Sequence, residues 1–172
     1  FNFFPREKKI RPFGRILPRS FLAIPPRGCF NLHASLLPEY RGASPVQAAI
    51  AEGRSTTGLT VFRMTPRMDD GPIVASRSVG IEAGETAGEL LDRLGRLGAE
   101  LLAETVVAIG EGRAVERAQD ESLATTCRIL AKADGEVDWS LPARRLVDHR
   151  RAMTPWPGAF TWLTDARGTL RV

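Results

Sequence analysis

The strongest periodicity in the chain predicts a long amphipathic helix. Leu90, Leu94, Leu97 and Leu101 recur three or four residues apart, and Leu91, Leu102 and Val106 widen the apolar face. Thr86 and Glu89 precede it at the Thr-x-x-Glu spacing of a capping box, and Gly110 closes it. Upstream, residues 58–64 are β-branched and aromatic and read as a strand. A loop over 65–72 leads into a second strand near 73–79. Residues 29–33 form a short apolar strand after Gly28. A helix is then predicted from Ser44 as N-cap and Pro45 at the first helical position, through Ile50, ending at Gly53. Phe21 to Ile24 is a short helical or apolar segment stopped by Pro25-Pro26. Residues 13–18 read as a strand end and turn, and residues 1–12 show no rhythm.

Strand, helix, strand, strand and long helix predict an α/β layer fold. Residues 111–125 mix polar and apolar positions without period and read as a linker. From about Ala131 the character changes to mixed charge, three tryptophans and the rigid turn Pro155-Trp156-Pro157-Gly158, which reads as the opening of a second domain.

Composition narrows the class. A hydrophobic fraction of 43% and a charged fraction of 26% are those of a soluble globular protein. No uncharged apolar run approaches the length of a membrane span. Cys29 and Cys127 are too few and too far apart for a disulfide framework, so reduced thiols are expected. The net charge of +4 is uneven: residues 1–30 carry seven Lys or Arg against one Glu, leaving residues 31–172 at −2. That basic arm could contact nucleic acid or simply be solvated, and charge alone does not choose. The first residues lack the basic-then-apolar order of a signal peptide, and the chain does not begin with Met.

Three polar residues are candidates for chemistry. Asn31 and His33 stand two apart, so on a strand an amide and an imidazole point to one face. Together they suit stabilisation of a charged tetrahedral oxygen. A carboxylate near the imidazole, as Asp69 offers, can fix its tautomer and relay a proton. Taken singly, each has a plain structural alternative: a bonded core histidine, or an Asp before Gly in a turn. A zinc site from Cys29, His33 and Asp69 lacks ligand spacing. No Gly-x-Gly-x-x-Gly or phosphate-cradling loop supports a nucleotide cofactor.

The run from Asn31 to Pro45 resembles the signature Asn-x-His-x-Ser-Leu-Leu-Pro-x-Tyr-Arg-Gly of the 10-formyltetrahydrofolate-dependent formyltransferases. Gly14-x-Ile16-Leu17-Pro18 and Pro25-Pro26-x-Gly28 are similar to the segment preceding that signature in the methionyl-tRNA formyltransferases. Met68-Asp69-Asp70-Gly71-Pro72-Ile73 resembles the family's Met-Asp-Thr-Gly-Pro-Ile loop. Asp134 to Ala143, with Pro155 to Ala159, looks like the start of its C-terminal barrel. The resemblance implies a Rossmann-like parallel sheet over 1–110, a linker over 111–130, and the beginning of an OB-like β-barrel over 131–172, with the family's first strands and barrel end missing. It implies Asn31, His33 and Asp69 as catalytic residues and Ser35, Leu36, Leu37 and Pro38 as the loop against the folate. It further implies 10-formyltetrahydrofolate as formyl donor without a metal, initiator methionyl-tRNA as acceptor and partner, no membrane partner, a monomer, and a cytoplasmic setting. Relatives acting on amino-sugar nucleotides or other small amines share the signature, and an inactive remnant is the non-enzymatic alternative. Asp70 stands where the family has Thr, so a second carboxylate competes with Asp69 for its assignment. The family's preceding Met-Asp-x-Gly is Met64-Thr65-Pro66-Arg67 here.

Overall fold

The computed structural model describes residues 17–166 and 168–172, so residues 1–12 and most of the turn expected over 13–18 lie outside the described residues. α1 (Arg19–Leu22) is a single turn ahead of Pro25-Pro26, and β1 (Phe30–His33) follows it. β2 (Arg41–Gly42) leads into α2 (Pro45–Ala51), which starts with Ser44 as N-cap and Pro45 at the first helical position. β3 (Thr56–Arg63) and β4 (Ile73–Gly80) form a hairpin-like pair, and α3 (Ala87–Gly110) crosses back over them. Its capping box forms: the Thr86 N–H donates to Glu89 Oε2 at 2.8 Å, and the Glu89 N–H to Thr86 Oγ1 at 3.4 Å. β5 (Thr126–Cys127), α4 (Ala143–Ala152), β6 (Trp162–Asp165) and β7 (Gly168–Arg171) complete the order.

The expected α/β class is what forms, with one refinement of sense. Among these strands the parallel pairing is the short β2–β5 ladder, while the three-stranded sheet β1–β3–β4 is antiparallel throughout. The loop over 64–72 holds no helix, and a parallel neighbour would need a crossover connection there.

Strand alternation divides that sheet into two faces. Leu32 pairs with Val61, and Leu59 lies two residues before it, so these side chains share a face. α3 covers them, with Gly98 set against Leu32 and Leu59. Leu90, Leu94 and Leu101 bury their side chains there, each worth about 1.5–3 kcal/mol on removal from water. Val46 and Ile50 of α2, with Ala152 and Met153 at the end of α4, join the same core. The opposite face carries Asn31, His33, Thr60 and Phe62.

α4 is a helix the hydrophobic pattern does not announce. Its buried positions are Ala152 and Asp148, and Asp148 is neutralised by Arg151 Nη1 at 2.9 Å. Arg151 Nε also donates to the Glu85 carbonyl at 2.9 Å, tying α4 to the approach to α3. Among the described residues no helix is long and apolar enough to cross a membrane.

Candidate active site

β1 delivers Asn31 and His33 to one face, opposite Phe62 and Thr60 of β3. His33 is 6% exposed, with its ring edge-on to Phe62. Its Nε2 lies 2.9 Å from the Tyr40 carbonyl oxygen. A carbonyl only accepts, so Nε2 carries the hydrogen and Nδ1 is the ring nitrogen left for other work. The half-buried Asn31 amide has no hydrogen-bond partner among the described residues.

The Ser35-Leu36-Leu37-Pro38 loop is held to β3 by the Thr60 hydroxyl. Thr60 Oγ1 donates to the Ser35 carbonyl at 2.7 Å and accepts the Leu37 N–H at 3.1 Å. Ser35 is fully buried, its Oγ donating to the Glu39 carbonyl at 2.6 Å, and Leu37 is buried too. A ligand beside this loop would therefore meet Leu36 and Pro38, which are half-buried, rather than the side chains of Ser35 or Leu37. Tyr40 follows, its hydroxyl pushed up to about 12 by burial and by its bond to Glu52.

Asp69 arrives from the β3–β4 loop. Its Oδ2 lies 3.8 Å from His33 Nδ1 and accepts the Gly42 N–H at 2.8 Å. The residue sits in the left-handed region at φ 51°, which Asp tolerates better than most side chains. Gly71 allows the loop to lie flat on β3: a Cβ there would fall 1.7 Å from the Arg63 carbonyl oxygen. Asp70 points elsewhere, taking bonds from Thr65 Oγ1 and Arg67 Nε. Burial alone would raise the Asp70 carboxyl, but those bonds and the Arg67 charge hold it below the usual range. Of the two adjacent carboxylates, Asp69 is the one facing the imidazole.

Asn31 and His33 thus share the sheet face away from α3, and Asp69 reaches His33 there. The Asn31 amide offers a donor for oxygen charge, Nδ1 becomes one on taking up a proton, and a carboxylate stands beside that nitrogen. That combination suits attack on an activated carbonyl.

The sequence reading missed the residues behind this group. The stretch over 111–125, expected as a linker, exchanges backbone hydrogen bonds with the start of β4, Ile73 N–H to Arg117 O at 2.7 Å and the reverse at 2.9 Å. Gln119 Nε2 donates to the carbonyls of Asp69 and Gly71 at 2.8 and 2.7 Å. Its Oε1 accepts from Arg41 Nε and Nη2 at 3.1 and 2.7 Å. Arg41 is buried and also bonds Glu121 through Nη1 and Nη2, at 3.0 and 2.8 Å, and that carboxylate raises its proton affinity further. Thr125 Oγ1 accepts the Tyr40 N–H at 2.8 Å. The one available signal was the run of side-chain donors and acceptors from Gln119 to Thr125, with no surface-helix rhythm to account for it.

Residues 10–106 match the formyl transferase family, and residues 129–171 match the formyl transferase C-terminal domain. The methionyl-tRNA formyltransferase of Citrifermentans bemidjiense is 45% identical over 153 residues, which are 89% of this chain and 48% of that protein. That of Anaeromyxobacter dehalogenans is 45% identical over 159 residues, 92% of this chain and 51% of the relative. The chain therefore spans about half the length of these curated relatives. The crystal structure of an N-formyltransferase from Helicobacter canadensis, complexed with folinic acid and dTDP-3-aminofucose, has a TM-score of 0.67 at 19% identity. The match covers 72% of this chain and 46% of that one, and shows a shared fold. On the match over residues 10–106, which is more than half of its length, the chain belongs to the formyl transferase family.

Proposed function

We propose that this chain carries the catalytic part of a methionyl-tRNA formyltransferase, moving a formyl group from 10-formyltetrahydrofolate to the α-amino group of initiator methionyl-tRNA. The observation that carries the reading is the pairing of His33 with Asp69 on the Nδ1 side, on the sheet face that also bears the Asn31 amide, which is unpartnered among the described residues. The names of relatives 45% identical to the chain favour the tRNA acceptor over an amino-sugar nucleotide.

In this reading the amine lone pair forms a bond to the formyl carbon, and the carbonyl π electrons move onto oxygen. Asn31 N–H and a protonated His33 Nδ1 hold that oxygen, since Nε2–H is committed to Tyr40. The oxygen electrons then re-form the carbonyl and expel folate N10, which gains one proton as the amine loses one. Asp69 holds the imidazole edge during that exchange and assists removal of the amine proton. Leu36 and Pro38 line the folate side. Residues 1–110 supply the catalytic unit, 111–130 connect it while bracing it through Arg117, Gln119 and Thr125, and 131–172 begin a barrel domain. The protein acts as a monomer in the cytoplasm, where translation begins.

The test is formyl transfer from 10-formyltetrahydrofolate to methionyl-tRNA by the purified chain, with Asn31→Ala and His33→Ala alongside. Each substitution is expected to lower kcat by about a hundredfold or more. Absence of transfer, or activity indifferent to both substitutions, would refute the proposal. Faster transfer to an amino-sugar nucleotide in competition would move the chain to that acceptor class.

A further inference from the structure

We propose that Gln119 is a positioning residue that keeps the Asp69 carboxylate on the Nδ1 side of His33. The hydrogen bonds around it close into a circuit. From the Asp69 carboxylate the path runs to the Gly42 N–H, through the backbone to Arg41, and from the Arg41 guanidinium to Gln119 Oε1. From Gln119 Nε2 it returns to the carbonyl of Asp69 itself. The side chain and the main chain of one residue are thus gripped from opposite ends of a single network. The second Nε2 hydrogen takes the Gly71 carbonyl at 2.7 Å, so the grip spans the turn on both sides of Asp70.

Asp69 needs such a hold. At φ 51° its backbone lies outside the regions most residues prefer, so contacts from outside the loop keep it there. The Asp69–His33 approach of 3.8 Å is longer than a direct hydrogen bond, so the loop rather than that contact must set the carboxylate's place. An amide is the side chain that fits. Two donors meet two carbonyls and one oxygen meets two guanidinium hydrogens. A glutamate of the same length would still accept from Arg41, but it would turn an acceptor toward the carbonyls of Asp69 and Gly71. Gln119 itself is anchored by the neighbouring Arg117–Ile73 bridge and, through Arg41, by Glu121. The kinetic consequence of this role rests on the reading under Proposed function, but the positioning does not.

The experiment uses the 172-residue chain labelled with 15N, and reads the Gly42 amide, whose bond to Asp69 Oδ2 reports where the carboxylate sits. Wild type, Gln119→Glu, Gln119→Ala and Asp69→Ala are compared for Gly42 proton shift and hydrogen exchange, together with kcat and KM for formyl transfer. Both Gln119 variants are expected to move the Gly42 resonance toward its position in Asp69→Ala and to speed its exchange about tenfold, while α3 amides keep their protection. Where transfer is measurable, kcat falls about tenfold or more with KM for the donor nearly unchanged. A Gly42 amide unmoved in both variants overturns the proposal. So does a loss of protection shared equally by α3, which would make Gln119 a general stabiliser. A moved Gly42 amide in a chain that transfers no formyl group upholds the positioning role and fails only the functional reading.

Discussion

Replacing Thr60 with Val would remove one oxygen and leave almost everything else in place. The side chain is fully buried on β3, and Val has nearly the same shape and the same β-branching, so packing and strand preference are retained. What goes is the hydroxyl that donates to Ser35 O at 2.7 Å and accepts Leu37 N–H at 3.1 Å. A buried carbonyl and a buried N–H are then stranded, each costing about 1–3 kcal/mol, or about 3 kcal/mol together. Against a total stability of roughly 5–15 kcal/mol that is a large fraction. For a chain of this size it corresponds to a melting temperature lower by roughly 6–12 °C. Urea denaturation should show the midpoint falling with the slope unchanged, because the surface exposed on unfolding is the same. Thr60→Ser is the control: it keeps the hydroxyl and loses one methyl, at about 1 kcal/mol. If Thr60→Val proved as stable as Thr60→Ser, the hydroxyl would not be what holds the loop over Ser35 and Leu37, and the reasoning would fall.

Gly42→Ala should be more severe than an ordinary loop change, at about 3 kcal/mol or more. The residue sits at φ 121°, and a Cβ would come 2.0 Å from the Cys127 carbonyl, prising β2 from β5. Thermal melting of the variant checks this, and a loss under 1 kcal/mol would contradict the close approach. Asp134 predicts a limb of acid sensitivity. Its bonds to Arg128 and to the Ala131 N–H hold its carboxyl down at about 2, below the unfolded value of about 3.9. The stability it contributes is therefore complete above about pH 4 and is lost as pH falls toward 2. Denaturation of Asp134→Asn across that window should show a shallower acid limb, and an unchanged limb would remove the pair from the account.

What could be read from the chain and what could not divide along a physical line. The α3 stripe, its Thr86–Glu89 box and the Ser44-Pro45 start depend on neighbours within a turn or two, so their spacing carries the information. Asn31 and His33 were legible for the same local reason, two residues apart on a strand. α4 escaped because its inward face is Ala152 and an Asp148 neutralised by Arg151, not an apolar stripe. The choice between Asp69 and Asp70 turned on a left-handed backbone that sends adjacent carboxylates in different directions, one toward His33 and one toward Arg67. The stretch 111–125 reads as a linker because the contacts that tie it to the site lie tens of residues away: Arg117 on Ile73, Gln119 on Asp69, Thr125 on Tyr40. Chemistry restricts residue type, since few side chains besides an imidazole, a carboxylate or an amide can perform it, and so it leaves a mark in one sequence. Support restricts only reach and hydrogen-bond sense. A residue such as Gln119 therefore reads as any polar position between two helices until the Asp69 and Gly71 carbonyls are placed against it. The same distance that hides such contacts from the sequence makes them effective, because only a segment remote in the chain can hold the β3–β4 loop from outside.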